Sequence, residues 1–87
     1  VPLSSIEDSM NEKRDKKRIA SFGKRLRFVR ERVVGISQDE LASRCDINKY
    51  KISLIENGKN DFYYTTFLEL LKGLELSERE FFEIEIA

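Results

Sequence analysis

Histidine is absent from these 87 residues, cysteine and proline occur once each, and glycine four times. Without histidine, no His-dependent dyad or triad and no Cys/His zinc site can form. The single cysteine, Cys45, excludes an internal disulfide. It falls where a small core residue is wanted, which reads as a buried, inert thiol rather than a redox sensor. One proline and four glycines argue against a loop-rich or all-β architecture. No apolar run approaches transmembrane length and no secretory signal is visible, so the expectation is a soluble, cytoplasmic protein with no membrane partner. No Gly-rich phosphate loop occurs, and the carboxylates fall at caps or on acidic helical faces. The chain therefore reads as non-enzymatic, with no cofactor, no metal and no catalytic residues. It opens at Val1 rather than methionine, which points to processing or an added remnant, with Met10 as a candidate start.

What is present is one small domain with a modest core, supplied by six Phe, three Tyr and many Leu and Ile. Helix-period segments dominate, which gives an all-α class. Ile19, Phe22, Leu26, Val29 and Val33 recur at spacings of three and four, predicting a first helix from Ile19 or Ser21 to Arg32 with Gly35 turning the chain. Phe67, Leu68, Leu71 and Leu74 predict the buried stripe of a helix over 65–74. Ser77 and Glu80 form a capping box that opens a last helix running to about Glu85. Residues 1–11 read as a disordered lead or a weak helix, and residues 1–18 as a flexible, charged segment ahead of a domain over 19–87.

The net charge is zero, but it is polarised. Residues 11–32 carry ten bases and three acids; residues 61–87 carry two bases and seven acids. Local distribution, rather than pI, governs approach to a polyanion. The charged run Asn11–Arg18 reads either as a solvated tail or first-helix extension, or as a basic arm touching a DNA backbone or minor groove.

The most specific signal is SQDELASRCDINKYKISLIENG, Ser37 to Gly58. Ser37 with Glu40 has capping-box spacing, and Leu41, Ala42 and Cys45 follow on an inward face. Asp46 can take a left-handed turn conformation at lower cost than most residues with a Cβ. Asn48 can cap a second helix, over 49–56, in which Ile52 and Ile55 point to the core. Lys49, Tyr50, Ser53 and Leu54 then fall on another face. This pattern is a helix-turn-helix, whose second helix enters the major groove of double-stranded DNA.

On Ser37-Gln38, Glu40-Leu41-Ala42, Ile47, Ile52-Ser53 and Ile55-Glu56-Asn57-Gly58, the stretch from about Phe22 to Phe82 resembles the Cro and phage-repressor, or XRE, type of helix-turn-helix domain. The resemblance implies a compact five-helix bundle of lambda-repressor-like architecture that binds DNA as a homodimer. It implies base reading by Lys49, Tyr50, Ser53 and Leu54, although Leu54 offers only an apolar contact to a thymine methyl. Gln38, Lys51, Asn57, Lys59 and Asn60 are the expected phosphate contacts, the last three through a turn with exposed backbone N–H groups. Arg30 should pair with Glu56, a partly buried carboxylate in need of a partner. Phe81, Phe82 and Ile84 are the expected dimer contact, with the alternative that Phe81 or Phe82 folds back under the first helix. Four features depart from the family pattern: Leu54 stands where members often have a polar residue, Asp46 replaces the commoner turn glycine, Phe62 stands where many members have proline, and the link after the first helix is one residue longer. The function implied is a sequence-specific transcriptional regulator. The rival is an antitoxin or adaptor that chiefly binds a partner protein, such as a toxin or the transcription machinery, through its acidic, aromatic C-terminal end.

Overall fold

The computed structural model describes residues 2–86, with side chains described from Asp15 onward, and those residues contain helices and no strands. Helix α1 spans Pro2–Phe28, so it starts well before Ile19. Proline suits the first position of a helix, where its missing N–H has no intrahelical acceptor to lose.

At its end α1 widens into a π-helical turn, Val29–Val34. The Gly35 N–H donates to the Arg30 carbonyl at 2.8 Å, five residues back. A π turn is an α-helical turn holding one extra residue, and it accommodates the extra residue seen in the sequence. It also shifts the register. Val33, expected inside, is 48% exposed, and Val34 packs against the core instead. Gly35, at φ 74°, then reverses the chain.

Helix α2 spans Gln38–Arg44, and α3 spans Lys49–Glu56, the bounds expected for it. The Ser37 hydroxyl accepts from the Glu40 N–H at 3.0 Å, but the Glu40 carboxylate takes Arg44 Nε at 3.1 Å, so only half of that capping box forms. Asn48 Oδ1 accepts from the Lys51 N–H at 2.8 Å and caps α3. The turn between them contains no left-handed residue. Cys45 is extended, and the Asp46 N–H donates to Glu69 Oε1 at 3.0 Å, so Asp46 avoids the expected left-handed geometry.

Helix α4 spans Tyr64–Leu74 and α5 spans Glu78–Glu83. The stripe of α4 is Phe67, Leu70, Leu71 and Leu74, while Leu68 is 40% exposed. Leu68 lies about 100° round the helix from Phe67, whereas Leu70 closes the i, i+3, i+4, i+7 pattern. Glu75 ends α4 at φ 60°, the one non-glycine residue with positive φ among those described. The Ser77–Glu80 capping box closes in both directions.

The core lies between α1 and the other four helices. Leu26, Val29, Leu41, Ile52, Ile55 and Phe81 are fully buried within it. Phe22, Phe62, Phe67 and Phe81 form an aromatic cluster, with Phe22 and Phe62 centroids 4.6 Å apart, so Phe62 takes a packing role in the loop before α4. No helix among the described residues is long and apolar enough to cross a membrane.

Candidate nucleic-acid interface

A reading helix needs one face fixed and the other free. In α3, Ile52 and Ile55 are fully buried, whereas Tyr50 is 73% exposed. Two constraints hold the inner face. The first is steric: a Cβ on Gly23 of α1 would stand 2.3 Å from the Ile55 carbonyl oxygen and 2.7 Å from that of Glu56. Only glycine lets α1 approach the C-terminal end of α3 that closely.

The second is polar. Arg30 Nε donates to Glu56 Oε2 at 2.6 Å and Arg30 Nη2 to Glu56 Oε1 at 2.9 Å, with both residues 6% exposed. Gln38 Nε2 donates to Glu56 Oε1 at 3.0 Å, and Arg30 Nη1 to the Ile36 carbonyl at 2.8 Å. One carboxylate thus ties the end of α1 and the start of α2 to the end of α3. The hydrogen bond to Glu56 raises the Arg30 pKa against the opposing effect of burial, so the guanidinium stays charged. Breaking such a pair leaves a buried charge unmatched, typically at about 3–5 kcal/mol. Gln38, expected at a phosphate, is half-buried in this network.

On the outer face, Tyr50, Ser53, Leu54 and Asn57 share one strip at helical spacing. Ser53 and Leu54 are half-buried, and Asn57 is exposed. Lys49 is exposed beside the strip, its Nζ 3.1 Å from Asp39 Oδ2 on α2. Asp39 was not foreseen; the pair joins residues ten apart across the turn, a separation no local pattern reveals. Both side chains are exposed, so the pair is weak enough to exchange for another anion. Lys51 is half-buried beside Phe62 and Tyr63.

The turn after α3 differs from expectation. The N–H groups of Asn57, Gly58 and Lys59 donate to the carbonyls of Ser53, Ile55 and Leu54, at 3.0, 3.1 and 2.9 Å. They terminate α3 and are not exposed donors. The Asn57 side-chain amide also donates to the Ser53 carbonyl, at 2.9 Å. Beyond them the turn presents the exposed side chains of Lys59 and Asn60.

The C-terminal aromatics separate. Phe81 is fully buried, which corrects its expected place at a dimer contact: it packs on Phe22 and Phe67, the fold-back alternative. Phe82 is 54% exposed and Ile84 is half-buried. Arg25 of α1 explains this end of the chain. Its Nη1 donates to the carbonyls of Phe81 and Ile84, at 3.2 and 2.6 Å, and its guanidinium stands 6.0 Å from the Phe82 ring centre. A cation meeting the last carbonyls of a helix satisfies acceptors that the helix leaves open. The run of bases in the sequence conceals this structural role. Cys45 is half-buried, and burial pushes its thiol pKa up, in keeping with an unreactive side chain.

The model of the helix-turn-helix domain family matches residues 23–83, which contain all of this apparatus. No curated protein matches the chain. The crystal structure of the restriction-modification controller protein C.AhdI from Aeromonas hydrophila superposes with a TM-score of 0.69 at 26% identity, covering 76% of this chain and 94% of that one. That of a point mutant of the restriction-modification controller protein C.Esp1396I gives a TM-score of 0.69 at 25% identity, covering 75% and 85%. The chain belongs to the helix-turn-helix domain family, as a DNA-binding transcriptional regulator of the Cro and phage-repressor type.

Proposed function

We propose that the protein regulates transcription by binding a short, two-fold operator as a homodimer, with α3 of each protomer in a major groove. The observation that carries this is the division of α3: a face locked by Gly23 and the Arg30–Glu56 pair, and opposite it an exposed Tyr50 with Lys49 beside it. Lys49 can donate to guanine O6 or N7, Tyr50 can donate, accept or pack on a thymine methyl, and Ser53 and Leu54 border the same strip. Lys51, Lys59 and Asn60 flank it as phosphate contacts, with Gln38 and Asn57 at its edges. Two solved structures similar to this chain are of restriction-modification controllers, which supports a regulatory role.

A single chain presents one reading helix, and a palindromic operator requires two. The dimer contact is assigned to the face bearing Phe82. Phe82 and Ile86 are 54% and 45% exposed, and a groove of about 640 Å³ floored by Ile19, Phe22 and Phe62 adjoins Phe82. Exposed apolar surface of this kind favours a partner. Selection from a random duplex pool tests the reading. Retention of a roughly palindromic sequence, with half-site centres about one helical turn apart, supports it. Retention of random or asymmetric DNA contradicts it.

A further inference from the structure

We infer that Lys16 extends the phosphate grip of Lys59, giving the protein a backbone contact outside the family domain. The inference rests on the proposed DNA binding. The family match begins at residue 23, yet α1 continues unbroken to Pro2. The helix therefore projects past the domain, and where it passes matters. Gly58, at φ 68°, is seated directly on α1: a Cβ there would stand 3.0 Å from the Ala20 Cα and 3.2 Å from its Cβ. The turn that carries Lys59 and Asn60 is thus fixed against Ala20.

Lys16 lies one helical turn before Ala20, about 6 Å along the axis and on the same side of the helix. Gly23 and Ala20 show which side that is, since both face the C-terminal end of α3 and the turn after it. Lys16 is exposed, and no carboxylate among the described side chains lies within ion-pair distance of it. Lys59 is likewise exposed. Lys59 follows Gly58, which rests on Ala20, and Lys16 stands one turn along from Ala20, so both ammonium groups project from the junction of α1 with the turn after α3. The chemistry they fit is the phosphate backbone of duplex DNA, since a lysine acts there as a point charge that needs no fixed geometry. Neighbouring phosphates on one strand would be reached together.

The test uses the intact chain on its selected operator, with phosphate ethylation interference and salt-dependent affinity for the parent, Lys16→Ala and Lys59→Ala proteins. Lys59→Ala should abolish interference at one phosphate, and Lys16→Ala at another within about two positions on the same strand. Removing one phosphate contact lowers the salt slope by about 0.9, which is about eightfold in affinity at 0.1 M relative to 1 M salt. The loss for Lys16→Ala should be equal on operator and random duplex, Lys16→Arg should restore it, and the melting temperature should not move. A Lys16→Ala protein with the parent's salt slope and interference pattern overturns the inference while operator binding stands. Loss at a phosphate far from that of Lys59 overturns it too. A parent chain that binds no duplex overturns the underlying reading as well.

Discussion

Glu56 and Arg30 meet as a bidentate pair inside the protein, with Nε 2.6 Å from Oε2 and Nη2 2.9 Å from Oε1. They are 26 residues apart in sequence and join the end of the first helix to the end of α3. Glu56→Ala should lower stability by about 3 kcal/mol, because it leaves the Arg30 charge buried without its partner. Glu83→Ala, which breaks only the exposed contact with Arg79, should cost less than about 0.5 kcal/mol. Urea denaturation of the two variants compares them, and equal midpoints would contradict the pairing argument.

Gly23→Ala should destabilise the protein although alanine favours helices by about 1 kcal/mol over glycine. The added methyl would meet the carbonyl oxygens of Ile55 and Glu56 at 2.3 and 2.7 Å, and backbone cannot step aside as a side chain can. Overpacking of this kind costs about 1–3 kcal/mol. Because the displaced element is α3, DNA affinity should fall as well. Thermal melting of Gly23→Ala beside the exposed control Lys24→Ala checks this; a rise in melting temperature for Gly23→Ala would contradict the close approach.

Glu75→Gly should stabilise. Glu75 holds a left-handed conformation at φ 60° to end α4, and its N–H bonds back to the Lys72 carbonyl at 3.2 Å. A left-handed residue with a Cβ costs about 1–2 kcal/mol, whereas glycine pays about 0.4–1 kcal/mol in unfolded-chain entropy. The net gain should be about 0.5 kcal/mol, and Glu75→Val should lose stability. Chemical denaturation decides the order, and a glycine variant less stable than the parent would contradict it.

Phe82→Asp should weaken self-association while leaving the monomer folded, because Phe82 is 54% exposed and Phe81 beside it fills the core. Two-fold pairing of an acidic end brings like charges together, so association should tighten with salt while DNA binding loosens. Sedimentation across a concentration series measures both effects. A folded variant that associates as well as the parent would place the contact elsewhere.

The parts of this structure written locally were legible in the sequence. Ser37, Asn48 and Ser77 each cap a helix because capping depends on residues three apart, and the bounds of α2 and α3 follow from those caps. That Glu56 needs a partner was legible because a carboxylate on the inner face of α3 demands one, while the family resemblance supplied Arg30 as that partner. Effects that depend on how helices meet were not. The extra residue after the first helix was visible, but its absorption as a π turn, with Val34 replacing Val33 against the core, is a tertiary outcome. Gly23 looks like a helix-weakening residue until α3 is placed against it. Arg25 looks like one more surface base until the open carbonyls at the end of α5 arrive beside it. On the exposed side of α3, the sequence marks which residues are outward but not that Asp39 already holds Lys49, or that α3 takes up the N–H groups of Asn57, Gly58 and Lys59.

The measurement that bears most directly on the central claim is the affinity of Lys49→Ala and Tyr50→Ala for the selected operator and for a random duplex, taken at one salt concentration. If these residues read bases, each change should cost about 1–3 kcal/mol on the operator, relax preference at one position of each half-site, and leave random-duplex affinity changed far less. Equal losses on both duplexes would mean that the exposed face of α3 holds only backbone, and would contradict sequence reading by this helix.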